Sequence, residues 1–265
     1  MKSCICALTR GYEDSNNYNT LIERNNSIYN IIFKNNNSEY DVILFHEGNI
    51  TDEHQIYIKS KTPDLEIIFI DVSKEFYINL NRTIGKYSKL TENNNSFTFG
   101  YKCMCRFWSY IFIKYTTEYK YVIRIDEDCI INNFPSNICN ELKNNKIYFS
   151  TGLMLQDFSD GDHAFGMQEF TKEFLEKHNI KTSIDFHSVP YTNFCIIDIQ
   201  YFNNCELFNN WAKSIEEEGG IFISRWGDAN LWGIFLYLSN IIDNNNFLED
   251  KRIKYYHGTH YTTIN

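Results

Sequence analysis

Four continuous apolar runs, each separated by a longer periodic stretch, set the narrowest limit on how this chain can fold. They are CICALT (Cys4 to Thr9), YDVILFHE (from Tyr40), LEIIFIDV (from Leu65) and YKYVIRID (from Tyr119). A strand with one wet face alternates apolar and polar residues. These runs do not alternate, so both faces are covered, as in a parallel sheet packed between helices. Helical spacing fills the intervals. Leu21, Ile22, Ile28, Ile31 and Ile32 mark Tyr18 to Phe33. Met104, Phe107, Trp108, Ile111, Phe112 and Tyr115 form one wide apolar face along YKCMCRFWSYIFIKY. The second half is less regular. It predicts strands in KIYFST and NFCIIDI, a helix from Phe202 to Glu218 stopped by Gly219-Gly220, and a loop at RWGDAN before a buried helix. No internal repeat occurs. The expectation is one α/β domain with an elaborated C-terminal half.

The fourth run ends in three consecutive carboxylates, Asp126, Glu127 and Asp128. Their mutual repulsion makes it costly to keep all three ionised side by side. In open α/β sheets ligands sit beyond the carboxyl ends of the strands, which is where these acids fall. A divalent cation there offsets the repulsion, and oxygen-rich ligands suit Mg²⁺ or Mn²⁺ with positions left for substrate phosphate. The alternative is a solvated acidic turn. An EF-hand fails, because the places for its glycine and its closing glutamate hold Ile131 and Asn137.

Composition narrows the function classes. The net charge of −9 over 265 residues argues against nucleic acid or an anionic membrane as partner. Aromatics at 17% and only 3 prolines indicate a folded chain. The apolar run in MKSCICALTRG is too short for a signal peptide, and no segment reaches the length of a membrane helix. A soluble, cytoplasmic protein is expected, and the Asn and Ile usage points to an AT-rich source such as a virus. Without a secretory signal, the 8 cysteines are expected as reduced, buried thiols. Cys4-x-Cys6 and Cys103-x-Cys105 lack zinc-knuckle spacing.

Two further stretches carry candidate chemistry. SRWGDANLW sets Arg225 and Asp228 around a Trp-Gly turn, and YYHGTHY sets His257 and His260 near the end. Each alone reads as readily as a structural ion pair or a surface histidine. Together with GYKCMCRFWSYIFIKY, YVIRIDEDCI and TNFCIIDIQYF, however, they occur in the order and spacing of the fungal-type Golgi α-1,2-mannosyltransferases, which the chain resembles from its first strand almost to its last residue. The family's N-terminal anchor and stem are not expected within these residues.

The resemblance implies a GT-A glycosyltransferase fold over residues 1–265. Residues 1–130 would form a nucleotide-sugar-binding half and 131–265 an acceptor-binding half. It also implies GDP-mannose as donor, Mn²⁺ or Mg²⁺ as cofactor, a glycan or glycoside acceptor, and retention of configuration. The metal ligands would be Asp126, Asp128 and His257, with His260 as substitute. Arg124 would neutralise phosphate, Tyr101 would line the site, and Asp228 would orient a sugar hydroxyl. By fold analogy, Leu8, Thr9 and Arg10 would contact the donor nucleoside. The family's Glu-Pro-Asp is Asp126-Glu127-Asp128 here. Its Asn-Phe-Glu, whose Glu is assigned to the anomeric carbon, is Asn193-Phe194-Cys195. A thiol cannot replace that carboxylate, so front-side displacement is expected. The alternatives are another donor such as a UDP-sugar, or a non-catalytic descendant that binds nucleotide sugars or glycans.

Overall fold

The computed structural model describes residues 1–34, 40–77, 85–87, 97–155, 164–182 and 188–258. A seven-stranded sheet runs through the molecule in the order β10-β6-β9-β4-β1-β2-β3. Its strands are β1 (Ser3–Thr9), β2 (Tyr40–His46), β3 (Ile67–Asp71), β4 (Tyr121–Ile125), β6 (Phe149–Thr151), β9 (Phe194–Asp198) and β10 (Phe247–Glu249). β1, β2, β3 and β4 are parallel, whereas β9 runs antiparallel to both β4 and β6. All four apolar runs are therefore strands, with one reversed strand beside the acidic one. Two small pairs lie apart: β5 (Cys129–Asn133) with β11 (Lys254–His257), and β7 (Met154–Leu155) with β8 (Val189–Pro190).

Successive residues of each central strand feed opposite cores. On one face Cys4, Cys6, Phe45, Val122, Cys195 and Ile197 join Phe107, Trp108, Trp211 and Trp232. On the other, Ile5, Ile123, Ile125 and Ile196 pack with Ile28, Ile138 and Leu142. The first core is covered by α3 (Phe99–Ser109), α5 (Met167–Lys177), α7 (Glu206–Glu218), α8 (Gly220–Ile223) and α9 (Asp228–Leu238). The second lies under α1 (Asn19–Ile28) and α4 (Ile138–Asn144). α2 (Asp52–Lys61), whose amphipathic pattern is weak, covers β2 and β3. α9 is apolar on all sides because it is buried on all sides, and among the described residues no helix is long and apolar enough to cross a membrane.

Two sequence-based helices are interrupted. The 101–115 helix ends at Ser109 and resumes as a 3₁₀ turn over Ile111–Tyr115. The Trp108 carbonyl is turned to the indole N–H of Trp232 at 2.9 Å, so it does not continue the helical ladder. The 202–218 helix is two pieces, α6 (Ile199–Asn204) and α7, broken where Cys205 is extended at φ −82°, ψ 104°. Gly219 ends α7 in the left-handed conformation at φ 73°, as the Gly-Gly stop predicts. None of the 8 cysteines is bridged, and six are buried.

Thr98 caps α3, its hydroxyl accepting the Tyr101 N–H at 3.2 Å. Thr98→Ala is expected to lower stability by about 1 kcal/mol, read by denaturant titration. It should also loosen the turn that carries Tyr101, because the lost bond ends on that residue.

Candidate active site

The carboxyl ends of β4, β1 and β2 open into a cleft of about 580 Å³. Leu8, Thr9, Arg10, Tyr101, Asp126 and Asp128 all line it, together with Glu47, Asn49 and Glu127. Parallel register explains the convergence. Cys6 lies beside Arg124 and Thr9 beside His46, so the residues after each strand share one edge.

Behind the cleft wall sits a buried cation with two carboxylates. Arg124, 3% exposed, gives Nε and Nη2 to the two oxygens of Asp126 at 2.8 and 3.0 Å. Its Nη1 reaches Asp228 at 2.5 Å, and the guanidinium lies 4.5 Å over the Trp108 ring. Asp228, at the start of α9, also accepts the Thr192 hydroxyl at 2.9 Å. Burial would lower the Arg124 pKa, but the two carboxylates outweigh it and raise it, so the guanidinium stays charged. Burial raises the carboxyl of Asp126, and Arg124 only partly opposes this.

Asp128 points elsewhere, to His257. The antiparallel pairing of β11 with β5 sets His257 opposite Cys129, and the Gly258 N–H bonds the Asp128 carbonyl at 3.0 Å. The imidazole Nε2 is then 3.2 Å from the Asp128 carboxylate, while Nδ1 meets the Tyr191 hydroxyl at 2.9 Å. One donor atom each from Asp128, Cys129 and His257 lies within 4.8 Å of the others. A carboxylate and an imidazole oriented by its second nitrogen fit a divalent cation such as Mn²⁺. The Cys129 thiol, whose pKa burial raises well above normal, suits it poorly. Asp126 is not in that converging set, since both its oxygens meet the guanidinium.

Glu127 turns the other way, accepting the hydroxyls of Thr9 and, at 3.4 Å, Tyr12. Three adjacent carboxylates are thus tolerated because each faces a different partner. Beneath them Arg24, wholly buried on α1, donates Nε and Nη2 to the Ile125 carbonyl at 3.1 and 2.9 Å. Burial lowers its pKa to about 10.

Tyr101 accepts Nη2 of Arg225 at 3.2 Å, and burial raises its phenol pKa. Arg225 holds a left-handed backbone at φ 56°. Cys195 does not line the cleft. It is 1% exposed, directs its thiol at the Thr192 carbonyl 3.7 Å away, and burial raises its pKa. His260 lies outside the described residues. The sequence reading did not single out Tyr191, Thr192 or Glu47. Only Glu47 carried a signal, an acid directly after a strand end.

Burial alone would lower the His257 pKa, but the hydrogen bond and charge of Asp128 raise it above 6.5. A folded pKa above the unfolded one means that the pair stabilises fully below 6.5 and loses that contribution as pH rises through the raised value. In metal-free thermal melts across this window, His257→Gln should flatten the wild-type slope. An equal slope in both proteins would rule the pair out as its source.

No protein-family model matches the chain. It is 26% identical over 229 residues to the probable mannosyltransferase KTR4 of Saccharomyces cerevisiae, covering 73% of this chain and 48% of that protein. It is 28% identical over 178 residues to the O-glycoside alpha-1,2-mannosyltransferase homolog 2 of Schizosaccharomyces pombe, covering 60% and 46%. The chain spans about half the length of these curated relatives. Among solved structures, the mannosyltransferase Ktr4p from S. cerevisiae matches with a TM-score of 0.78 at 20% identity, over 99% of this chain and 71% of that one. Core-mannan synthase A from Aspergillus fumigatus, in its Mn/GDP form, gives 0.77 at 18% identity, over 98% and 76%. These likenesses establish the glycosyltransferase fold, GT-A in type. By sequence and by fold, the chain is similar to fungal mannosyltransferases.

Proposed function

We propose that the chain is a metal-dependent retaining glycosyltransferase that moves mannose from GDP-mannose to a hydroxyl of a mannoside or glycan. The observation that carries this reading is the meeting of Asp128 and His257 at 3.2 Å beside a cleft at the strand ends. The relatives are named mannosyltransferases, and one matching structure is a Mn/GDP form.

Asp128 and His257 would hold Mn²⁺ or Mg²⁺, with Asp126 alongside on the Arg124 fork. Bound there, the cation would offset the charge of the diphosphate leaving group. The chain's own groups do the rest. Arg124 fixes Asp126 and Asp228 in one rigid unit, so Asp228 can orient a sugar hydroxyl without moving. Tyr101, braced by Arg225, forms the wall where donor and acceptor meet. Leu8, Thr9 and Arg10 border the nucleoside. Cys195 stays protonated and buried, so it supplies neither a nucleophile nor a counter-charge for the anomeric carbon. The acceptor hydroxyl therefore attacks from the face of the leaving phosphate, and the β-phosphate oxygen takes its proton. Residues 1–130 would serve the donor and 131–265 the acceptor. The unbridged cysteines are compatible with work in the cytoplasm.

The test is transfer from labelled GDP-mannose to methyl α-mannoside by the purified protein with Mn²⁺, with the product anomer read by NMR. An α-linked disaccharide is expected. Turnover with UDP-sugars alone would replace the donor, and binding without transfer or hydrolysis would leave a non-catalytic descendant.

A further inference from the structure

Glu47 is a cleft carboxylate that the proposed chemistry leaves unused. It follows β2 directly, and its half-buried carboxylate lines the cleft. Among the described residues it accepts no hydrogen bond and joins no ion pair. Burial raises its pKa, and the charge of Arg10 opposes this from a distance. A carboxylate withdrawn from water without donors is costly unless a ligand supplies them.

Its place is fixed on both sides. The Gly48 N–H bonds the buried His46 ring at 3.2 Å, and Gly48 takes φ +81°, a conformation open to glycine. Asn49 takes the Gly11 N–H at 2.8 Å, and a Cβ on Gly11 would sit 2.2 Å from the Asn49 carbonyl oxygen. The loop after β2 is therefore locked to the loop after β1.

Position decides what Glu47 can meet. β4, β1 and β2 are neighbours, so Glu47 stands two strand spacings from Asp126, about 10 Å across the cleft. A nucleoside diphosphate held at Asp128 and His257 and lying across β1 would bring its base, not its phosphate, to Glu47. Base edges differ in what they offer. Guanine presents N1–H and a 2-amino group side by side, two parallel donors that match two carboxylate oxygens as a guanidinium does. Uracil presents one N3–H between two carbonyl oxygens, which a carboxylate repels. Adenine sets an unprotonated ring nitrogen beside its amino group.

We infer that Glu47 selects the donor nucleotide, accepting both guanine N–H groups at the far end of the cleft from the diphosphate. This rests on the glycosyltransferase reading and adds a residue that fixes its base. A site built around a paired donor edge rejects a base lacking it strongly, because the carboxylate is then left buried and unpaired.

The experiment is calorimetric titration of wild type and Glu47→Gln with GDP, IDP and UDP, each with Mn²⁺, after thermal melts confirm that the variant is folded. IDP lacks only the 2-amino group, so it probes one bond without any mutation. The wild type should bind GDP about 10-fold tighter than IDP and at least as much tighter than UDP. Glu47→Gln should lower GDP affinity about 10- to 100-fold, leave UDP unchanged and bring GDP and IDP together. Equal GDP and IDP binding by the wild type, or unchanged GDP affinity in the variant, would overturn the role of Glu47 and leave the enzyme reading standing. Failure of all three nucleotides, and of pyrophosphate with Mn²⁺, to bind the wild type would instead remove both.

Discussion

Arg124→Met is expected to lower the melting temperature by about 6–20 °C, corresponding to about 3–5 kcal/mol. The guanidinium is buried, is shared by Asp126 and Asp228, and covers Trp108. Methionine keeps most of the volume but strands two carboxylates in a low-dielectric wall. Removing one partner of such a cluster is far more damaging than removing the whole cluster, because the remaining charges lose their counter-ion where little water reaches them. Calorimetric unfolding of the metal-free protein is the measurement. A change under about 2 °C would mean that the carboxylates find water or protons on their own. The double variant Arg124→Met with Asp228→Asn should recover part of the loss, since it leaves one fewer uncompensated charge.

Above the raised His257 pKa, where their pair no longer stabilises the fold, Asp128→Ala should act on chemistry more than on stability. Its side chain is 23% exposed and its carboxylate pairs with a histidine, so the fold has little invested in it. If the proposed activity holds, Mn²⁺ affinity should fall and mannose transfer should drop by about 10²–10³-fold, the scale of losing one charge-stabilising group. Asp126→Ala offers the contrast. It deprives Arg124 of a bidentate partner and should cost stability as well as rate. Initial rates and Mn²⁺ titration separate the two cases. Undiminished Mn²⁺ affinity in Asp128→Ala would move the metal away from His257.

How much of this was legible beforehand can be traced through particular residues. Continuous apolar runs marked the four parallel strands because a strand covered on both faces has no reason to alternate. Asp126 and Asp128 stood out because acids at a strand's carboxyl end have few inexpensive structural uses. The helix breaks at Tyr110 and Cys205 were invisible. The first follows from a carbonyl taken by Trp232, which lies 124 residues from Trp108 in sequence, and local propensity cannot see such a partner. That β9 runs against β4 was equally hidden, since an apolar strand reads the same in either direction.

The sequence by itself therefore determined the layers, the strand ends and the residue types available to the site, because periodicity and burial are local properties of the chain. The tertiary structure alone decided how the three acids divide their work. Glu127 goes to Thr9 at the end of β1, Asp126 to Arg124 and Asp128 to His257. The physical reason is that a carboxylate's role is set by the donors within about 3 Å of it, and those donors come from Thr9, Arg124 and β11, which only folding brings to one edge.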